Sequence, residues 1–211
     1  MNLANELPFK FVLAVLLALF AGTAWYFQDG IKRSKRITVK YESRETFFYQ
    51  LNGLVWILIL LYIFFSWLDF AHLLIPVWLR WIGSLILLFG NACFFWTHRT
   101  LGRNWSGILE IRQGHTLVTE GPYRFVRHPM YTAILLVGIG VSLLSANWLV
   151  AVSYLGVFGG IILVRVPSEE EMMLEQFGDA YRNYMQRTGR LIPCLRYRKA
   201  EQSSNHKVAY R

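Results

Sequence analysis

Charged residues are scarce in this chain of 211 residues, since only 17% are Asp, Glu, Lys or Arg while 55% are hydrophobic. A soluble domain usually contains about 25% charged residues. Cysteine is scarce too, because Cys93 and Cys194 are too few and too far apart for a disulfide framework. No Cys-x-x-Cys or His-x-x-x-His pair occurs, so the sequence predicts no metal site. These absences argue against a disulfide-rich secreted domain and direct attention to the long apolar runs.

Those runs are long enough to cross a membrane, whose hydrocarbon core needs about 20 apolar residues per helix. They comprise Phe9–Phe27, Phe47–Trp67, Val77–Thr97 and Met130–Val164. The last run has 35 residues without a charge, too many for one span, and Ser145-Ala146-Asn147-Trp148 is the predicted turn within it. The sequence therefore predicts an all-α, polytopic membrane helical bundle of about five transmembrane helices, ending in the pair Tyr131–Leu144 and Trp148–Val164.

The cationic residues support this count, because 20 of the 22 Lys and Arg fall in the segments 28–46, 98–129 and 165–211. With five spans these segments lie on one side of the membrane, and the positive-inside rule makes that side cytoplasmic. We therefore expect an external N-terminus, a retained first span and a cytoplasmic C-terminus. The net charge of +9 follows from this topology and favours contact with anionic membrane lipids. It predicts neither a nucleic-acid partner nor an obligatory protein partner.

The chain divides by composition into three regions. Residues 1–97 read as three spans with one basic cytoplasmic loop. Residues 98–193 concentrate charged, aromatic and turn-forming residues, and near their end Tyr181, Tyr184 and Met185 share one face of a predicted amphipathic helix. Residues 194–211 are basic and polar, which predicts a disordered tail.

The segment Gly121–Tyr131 holds the densest group of unusual residues. Pro129 disfavours the helical conformation at His128 and suits the first turn of the span that follows. His128 would then sit at a helix entrance beside unpaired backbone N–H groups, and Arg127 adds positive charge, so a carboxylate or phosphate ligand would fit. The alternative is that the basic pair only sets topology and that Gly121-Pro122 is only a turn.

A second polar segment, Arg165–Met173, follows the last span and allows two interpretations. In one, Ser168 and Glu171 form a capping box and a new helix begins. In the other, the helix continues through Pro167, which places Arg165 and Glu169 on one face. The three consecutive glutamates are then either a solvated helix start or the partners of Arg165 and a ligand.

Together these residues resemble the isoprenylcysteine carboxyl methyltransferase family, which has the membrane phospholipid methyltransferases as relatives. The resemblance covers about residues 97–193. It rests on the ordered set Leu101–Trp105, Gly114–Thr119, Gly121–Tyr131, Glu169-Glu170, Phe177-Gly178, Tyr181, Tyr184 and Ile192-Pro193. One departure is Ala133, where the family usually has glycine.

The resemblance implies a methyltransferase that uses S-adenosyl-L-methionine, with a cofactor pocket mapped residue by residue. The implied cofactor-binding residues are His115, Thr116, Leu117, Val118, Tyr123, His128, Pro129, Met130, Tyr131 and Glu169. Arg165 would bind the carboxylate of a lipophilic or lipidated acceptor. Such a carboxylate is already ionised at neutral pH, so its methylation needs no general base.

Two other functions stay open from the sequence. A phospholipid or other lipid N-methyltransferase would need a proton acceptor for its amine substrate, and Glu170 could serve as that catalytic group. A non-catalytic membrane scaffold or a small transporter would keep the helical bundle without needing His128 and Glu169 at the family spacing.

Overall fold

The computed structural model describes residues 3–28, 36–39, 42–102, 110–112 and 117–194. Its α-helices are α1 (Leu3–Gln28), α2 (Glu42–Phe64), α3 (Val77–Leu101), α4 (Pro129–Ser145), α5 (Trp148–Phe177) and α6 (Asp179–Arg187). Two short strands, β1 (Arg36–Val39) and β2 (Glu110–Arg112), pair antiparallel with Val39 opposite Glu110. The helical bundle confirms the predicted fold class. The β1–β2 ribbon, which links two of the basic loops, was not predicted.

Four helices are long and apolar enough to cross a membrane: α1, α2, α3 and α5. The fifth apolar helix, α4, has 17 residues, which corresponds to a length of about 25 Å. The predicted span Tyr131–Leu144 is likewise short, and α4 packs against both α3 and α5. The chain is therefore a multi-pass integral membrane protein whose shortest helix lies within the bundle.

Small residues bring α3 and α4 into the most extensive helix contact of the described chain. A Cβ atom placed on Gly140 of α4 would lie 2.6 Å from the backbone nitrogen of Leu87. A Cβ atom on Gly83 of α3 would lie 2.7 Å from the backbone nitrogen of Leu144. Both distances are shorter than a van der Waals contact, so the two helices approach this closely only because glycine occupies these positions.

The turn between α4 and α5 lies where the sequence predicts it. Ala146 adopts a left-handed conformation with φ of 48°. The side-chain oxygen of Asn147 accepts hydrogen bonds from the backbone nitrogens of Leu149 and Val150, both at 3.1 Å, and so caps α5. Its side-chain nitrogen donates to the carbonyl of Leu68 at 2.7 Å. Asn147 thereby ties the hairpin to the connection between α2 and α3.

A buried group of charged residues lies beside this turn, at the end of the bundle formed by the start of α1 and the end of α4. We call it the distal end. Arg80, only 4% exposed, donates to both carboxylate oxygens of Glu6 and to the carbonyl of Leu144. Lys10 lies 3.7 Å from a carboxylate oxygen of Asp69. Each cation that falls outside the three basic segments therefore has an acidic partner, which leaves the distal end without an excess of positive charge.

Helix α5 continues without a break through Pro167 to Phe177. The structure therefore supports the continuous interpretation and excludes a new helix beginning at Ser168. Gly178, with φ of 49°, ends α5 and leads into α6. Tyr181 of α6 is 2% exposed and packs inward, as its predicted place on the apolar face requires. The C-terminal part of α5 carries Glu169 and Glu170 to the far side of the bundle from the distal end.

Candidate functional site

Three segments that are distant in sequence meet at the end of the bundle opposite the distal end. The first is the entrance of α4, from Arg127 to Tyr131. The second is the last part of α5, which carries Glu169 and Glu170. The third is Thr188–Leu191, which follows α6 and which we call the strap. Hydrogen bonds between these segments build a compact polar site, described below from its centre outward.

His128 occupies the centre, between two carboxylates. Its Nδ1 lies 3.4 Å from Oε2 of Glu169, and its Nε2 lies 3.3 Å from Oε1 of Glu170. Burial alone would lower the pKa of this imidazole, but the hydrogen bonds and charges of the two glutamates outweigh burial and raise it above its ordinary value of 6.5. His128 is therefore favoured as an imidazolium that neutralises part of the acidic pair.

The backbone of His128 is not helical, with φ of −123° and ψ of 62°. Pro129 follows as the first residue of α4 and enforces this change of conformation. His128 is consequently the N-terminal cap residue of α4, although its side chain makes no capping hydrogen bond. The imidazole is thus available to face α5.

Glu169 is the more open of the two acids, with its side chain 27% exposed. It accepts a hydrogen bond from the hydroxyl of Tyr131 in addition to its contact with His128. The negative charge of Glu169, after burial itself, also raises the pKa of the nearby Tyr123 hydroxyl. Glu169 therefore presents a partly exposed carboxylate edge with two oriented neighbours, an arrangement suited to binding hydroxyl or ammonium groups.

Glu170 is buried, with its side chain 5% exposed, and both of its oxygens are occupied. Nε of Arg127 donates to Oε1 at 2.9 Å, alongside the contact with His128. The guanidinium of Arg190 donates to Oε2. Three cationic groups converge on this one carboxylate, which makes it a structural junction between α4, α5 and the strap.

The strap is held along the entrance of α4 mainly by backbone groups. The backbone nitrogen of Arg127 donates to the carbonyl of Gly189 at 2.8 Å, and that of His128 donates to the carbonyl of Arg190 at 3.0 Å. Thr132 Oγ1 donates to the carbonyl of Leu191 at 2.7 Å. The strap therefore fixes the backbone on which His128 is mounted.

Residues 81–175 match the model of the isoprenylcysteine carboxyl methyltransferase family. This region is therefore similar to that family. The match includes α3 from Trp81 onward, the whole of α4 and α5 through Glu175, and hence His128, Glu169 and Glu170.

Individual protein-S-isoprenylcysteine O-methyltransferases are also similar to this chain in sequence. Protein-S-isoprenylcysteine O-methyltransferase B of Arabidopsis thaliana is 30% identical over 118 residues, which are 55% of this chain and 60% of the relative. The Xenopus laevis protein-S-isoprenylcysteine O-methyltransferase is 30% identical over 145 residues, 64% of this chain and 50% of the relative. The chain thus spans about half to three-fifths of the length of these curated relatives.

A solved structure shows the same architecture. It is described as the eukaryotic intramembrane Ras methyltransferase, an isoprenylcysteine carboxyl methyltransferase, and matches with a TM-score of 0.53 at 27% identity. The alignment covers 74% of this chain and 54% of the other. The bundle with its polar site at one end is therefore an isoprenylcysteine carboxyl methyltransferase fold.

The structure brings together three of the residues that the family resemblance implied, which are His128, Tyr131 and Glu169. Glu170, the candidate proton acceptor of the N-methyltransferase alternative, lies beside them. Pro129 and Met130 begin α4 directly beside them. Tyr123 lies in the 3-10 helix Gly121–Arg124, where its carbonyl accepts a hydrogen bond from the hydroxyl of Tyr184 at 2.6 Å. The individual roles of these residues in binding remain predictions.

The other implied residues are less closely tied to this centre. Arg165 is half-buried and lies one helical turn before Glu169 on α5. Leu117 and Val118 are half-buried ahead of the 3-10 helix. His115 and Thr116 lie outside the described residues. Ala133, the departure from the family pattern, is completely buried and packed within the bundle.

Sequence reasoning missed the residues that hold the site together. Arg127 was read as general positive charge, whereas its guanidinium binds Glu170 and the carbonyls of Met185 and Thr188. Arg190 was given no role. The partners of these arginines lie 20 to 61 positions away in the chain, and no local spacing signals such a contact. The Glu169-Glu170 pair, which needs cationic partners once buried, was the one available hint.

Proposed function

We propose that this protein transfers a methyl group from S-adenosyl-L-methionine to the carboxylate of a lipophilic acceptor at the membrane surface. The observation that carries the proposal is the placement of Glu169 and Arg165 one turn apart on the continuous helix α5. Glu169 faces the polar site with His128 and Tyr131, while Arg165 lies closer to the apolar part of the same helix. This order suits a polar donor on one side and a lipid-attached carboxylate on the other.

The donor site fits the chemistry of S-adenosyl-L-methionine, which supplies an electrophilic methyl group on a sulfonium when it is bound. Glu169 would accept hydrogen bonds from its ribose hydroxyls or its ammonium group. The side chains of Tyr123 and Met130 and the backbone near Leu117 and Val118 would form the surrounding walls, with His115 and Thr116 completing them. The backbone N–H groups at the N-terminal end of α4 would suit the carboxylate of the donor.

A carboxylate is the acceptor group that suits this site best. Arg165 can bind a carboxylate through two parallel hydrogen bonds, and its position on α5 close to the membrane boundary suits an acceptor anchored by a lipid chain. Methylation of an amine would instead require a proton acceptor. Glu170 is poorly suited to that task, because Arg127, His128 and Arg190 occupy both of its oxygens. The buried junction at Glu170 therefore favours O-methylation over the N-methyltransferase alternative.

The similar proteins of Arabidopsis thaliana and Xenopus laevis are protein-S-isoprenylcysteine O-methyltransferases by name, which points to a prenylated cysteine as the acceptor. A prenylated cysteine carboxylate combines the two properties that this site requires, an ionised carboxylate and an apolar chain. A lipid or another lipophilic acid shares both properties. Incubating cell membranes with donor carrying a labelled methyl group, then separating labelled lipids from labelled proteins, distinguishes these acceptors.

Equilibrium binding of S-adenosyl-L-methionine to the detergent-purified protein tests the donor assignment. Glu169→Gln keeps the size of the side chain but removes the charge, and a hydrogen bond to a charged group contributes about 1.5–3 kcal/mol. We expect the affinity to fall roughly 10- to 100-fold. Glu171→Gln, an exposed position in the same helix, is the matched control and should bind like the unmodified protein. Failure of the unmodified protein to bind the donor in several lipid mixtures would favour the scaffold or transporter alternative.

A further inference from the structure

The strongest unassigned feature of the site is the side chain of Arg190 in the strap. Its guanidinium reaches across to Oε2 of Glu170, although the Arg190 side chain is 52% exposed and that of Glu170 only 5%. This contact joins a solvent-exposed turn to a buried carboxylate on α5. Glu170 in turn contacts His128 through its other oxygen, at 3.3 Å. Arg190 is therefore connected to the His128 imidazole, at the centre of the site, through the carboxylate of Glu170.

A second connection runs through the backbone. The carbonyl of Arg190 accepts the hydrogen bond of the His128 backbone nitrogen at 3.0 Å. The strap is also tightly folded at this point, because a Cβ atom on Gly189 would lie 1.8 Å from the carbonyl oxygen of Ile192. The side chain and the carbonyl of Arg190 thus contact the two groups that determine where the His128 ring lies.

We propose that Arg190 is a positioning residue, which fixes Glu170 and the strap so that the His128 imidazole is held between Glu169 and Glu170. The inference rests on the proposed function for its consequence, since His128 and Glu169 are assigned there to the methyl donor. Arg190 makes no contact with that donor in this assignment. Its effect on donor binding is transmitted through His128.

The groups around His128 make the effect of Arg190 measurable. Glu169 and Glu170 face the ring from α5, with Tyr131 of α4 at a ring distance of 5.9 Å. Arg127 and Arg190 lie behind Glu170. Tyr123, Tyr181 and Tyr184 lie near the same acids and arginines. Burial raises the pKa of each hydroxyl, and glutamate charge raises it further for Tyr123 and Tyr181, so all three hydroxyls stay neutral in the range where His128 titrates.

Removal of Arg190 has opposite consequences under the two interpretations. If Arg190 only contributes positive charge, its loss removes repulsion and the pKa of His128 rises. If Arg190 positions Glu170 and the strap, its loss releases the imidazole from the carboxylate and the pKa of His128 falls towards its ordinary value. The direction of the shift therefore separates positioning from simple proximity.

The test is an NMR titration of the His128 ring in the detergent-solubilised protein, carried out without donor, for the unmodified chain, Arg190→Gln and Arg190→Lys. The control is Arg182→Gln, which breaks the exposed Arg182–Asp179 pair of α6 and removes the same charge. We expect the pKa of His128 to fall in Arg190→Gln, to recover largely in Arg190→Lys and to stay unchanged in the control. Because Arg190 is half exposed, its variants should fold.

Donor binding provides the second readout. Arg190→Gln should weaken the affinity for S-adenosyl-L-methionine by roughly 2- to 10-fold, raising KM for the donor while leaving kcat nearly unchanged. A rise or no change in the pKa of His128 overturns the positioning role, whatever the binding result. A fall in this pKa in a protein that does not bind the donor at all supports positioning and contradicts the proposed function instead.

Discussion

The carboxylate of Glu6 binds the guanidinium of Arg80 through two hydrogen bonds, at 2.7 and 2.8 Å, in the buried distal end of the bundle. The two residues lie on different helices, α1 and α3, and their side chains are 7% and 5% exposed. Unpaired charge is costly within a membrane protein, and this pair links α1 to α3 without leaving either of the two charges unpaired.

Loss of one partner of this pair should be strongly destabilising. Glu6→Gln leaves the Arg80 guanidinium buried without its counter-charge, and breaking a buried pair in this way typically costs about 3–5 kcal/mol. We expect a marked fall in the thermal unfolding temperature of the detergent-purified protein. Glu171→Gln, at an exposed position, should cause little change. The double variant Glu6→Gln, Arg80→Met should recover much of the lost stability, because it removes both charges of the pair. If the double variant is no more stable than Glu6→Gln, the pair is not what stabilises this end.

The orientation in the membrane follows from the same contacts. Among all Lys and Arg residues, only Lys10 and Arg80 lie outside the three basic segments, and they are paired with Asp69 and Glu6. The net positive charge is therefore concentrated on the side of the polar site around His128, which we predict to be cytoplasmic. Reporters fused after Arg211 and before Asn2 should show a cytoplasmic C-terminus and an external N-terminus. A C-terminal reporter that is active only outside the cytoplasm would contradict the predicted orientation.

Arg165 and Glu169 should separate acceptor binding from donor binding. Arg165→Lys keeps the positive charge but loses the planar, two-pronged guanidinium. We expect S-adenosyl-L-methionine affinity to stay nearly constant, while kcat/KM for the acceptor falls about tenfold through the loss of one good hydrogen bond. Glu169→Gln should have the reverse pattern, with its main effect on donor affinity. Parallel losses in both assays for both variants would indicate that the two residues act together as a structural pair.

The protonation of His128 should make stability depend on pH. Its pKa in the folded protein is raised above the ordinary 6.5 by Glu169 and Glu170. The resulting stabilisation is complete below about pH 6.5 and is lost as the pH rises through the higher folded-state pKa. Thermal unfolding measured from about pH 6 to pH 9 should show this loss in the unmodified protein. His128→Gln should lack this component, and an identical pH profile in the variant would assign the dependence to another group.

The contact between α3 and α4 should tolerate no side chain at Gly140. Gly140→Ala would place a methyl group 2.6 Å from the backbone of Leu87 and force the two helices apart. Overpacking of this kind costs about 1–3 kcal/mol, so the unfolding temperature should fall. Gly22→Ala in α1 is the control, because a Cβ atom there has no neighbour within 4 Å. Since alanine also favours helix over glycine, the control should be neutral or slightly more stable.

Much of this architecture could be predicted from local sequence. The uncharged runs specify membrane helices because a helix satisfies its own backbone hydrogen bonds in lipid. The break at Ser145–Trp148 could be predicted because Ser and Asn favour turns, and the structure adds that Asn147 caps α5. The place of His128 at the start of α4 could be predicted because Pro129 restricts the residue before it. Each of these depends on a residue and its immediate neighbours.

The pairings that complete the molecule were decided only by the tertiary structure. Glu6 and Arg80 are 74 positions apart, and Arg190 is 20 positions from Glu170. Pro167 allowed either a new helix or a continuous one, and the continuous helix gives Glu170 its junction with Arg127 and the strap. The physical reason is that a buried charge needs an opposite charge nearby in space, while helical periodicity constrains only residues three or four positions apart. The sequence alone determined which residues carry charge into the bundle; the packing of its helices decided which of them meet.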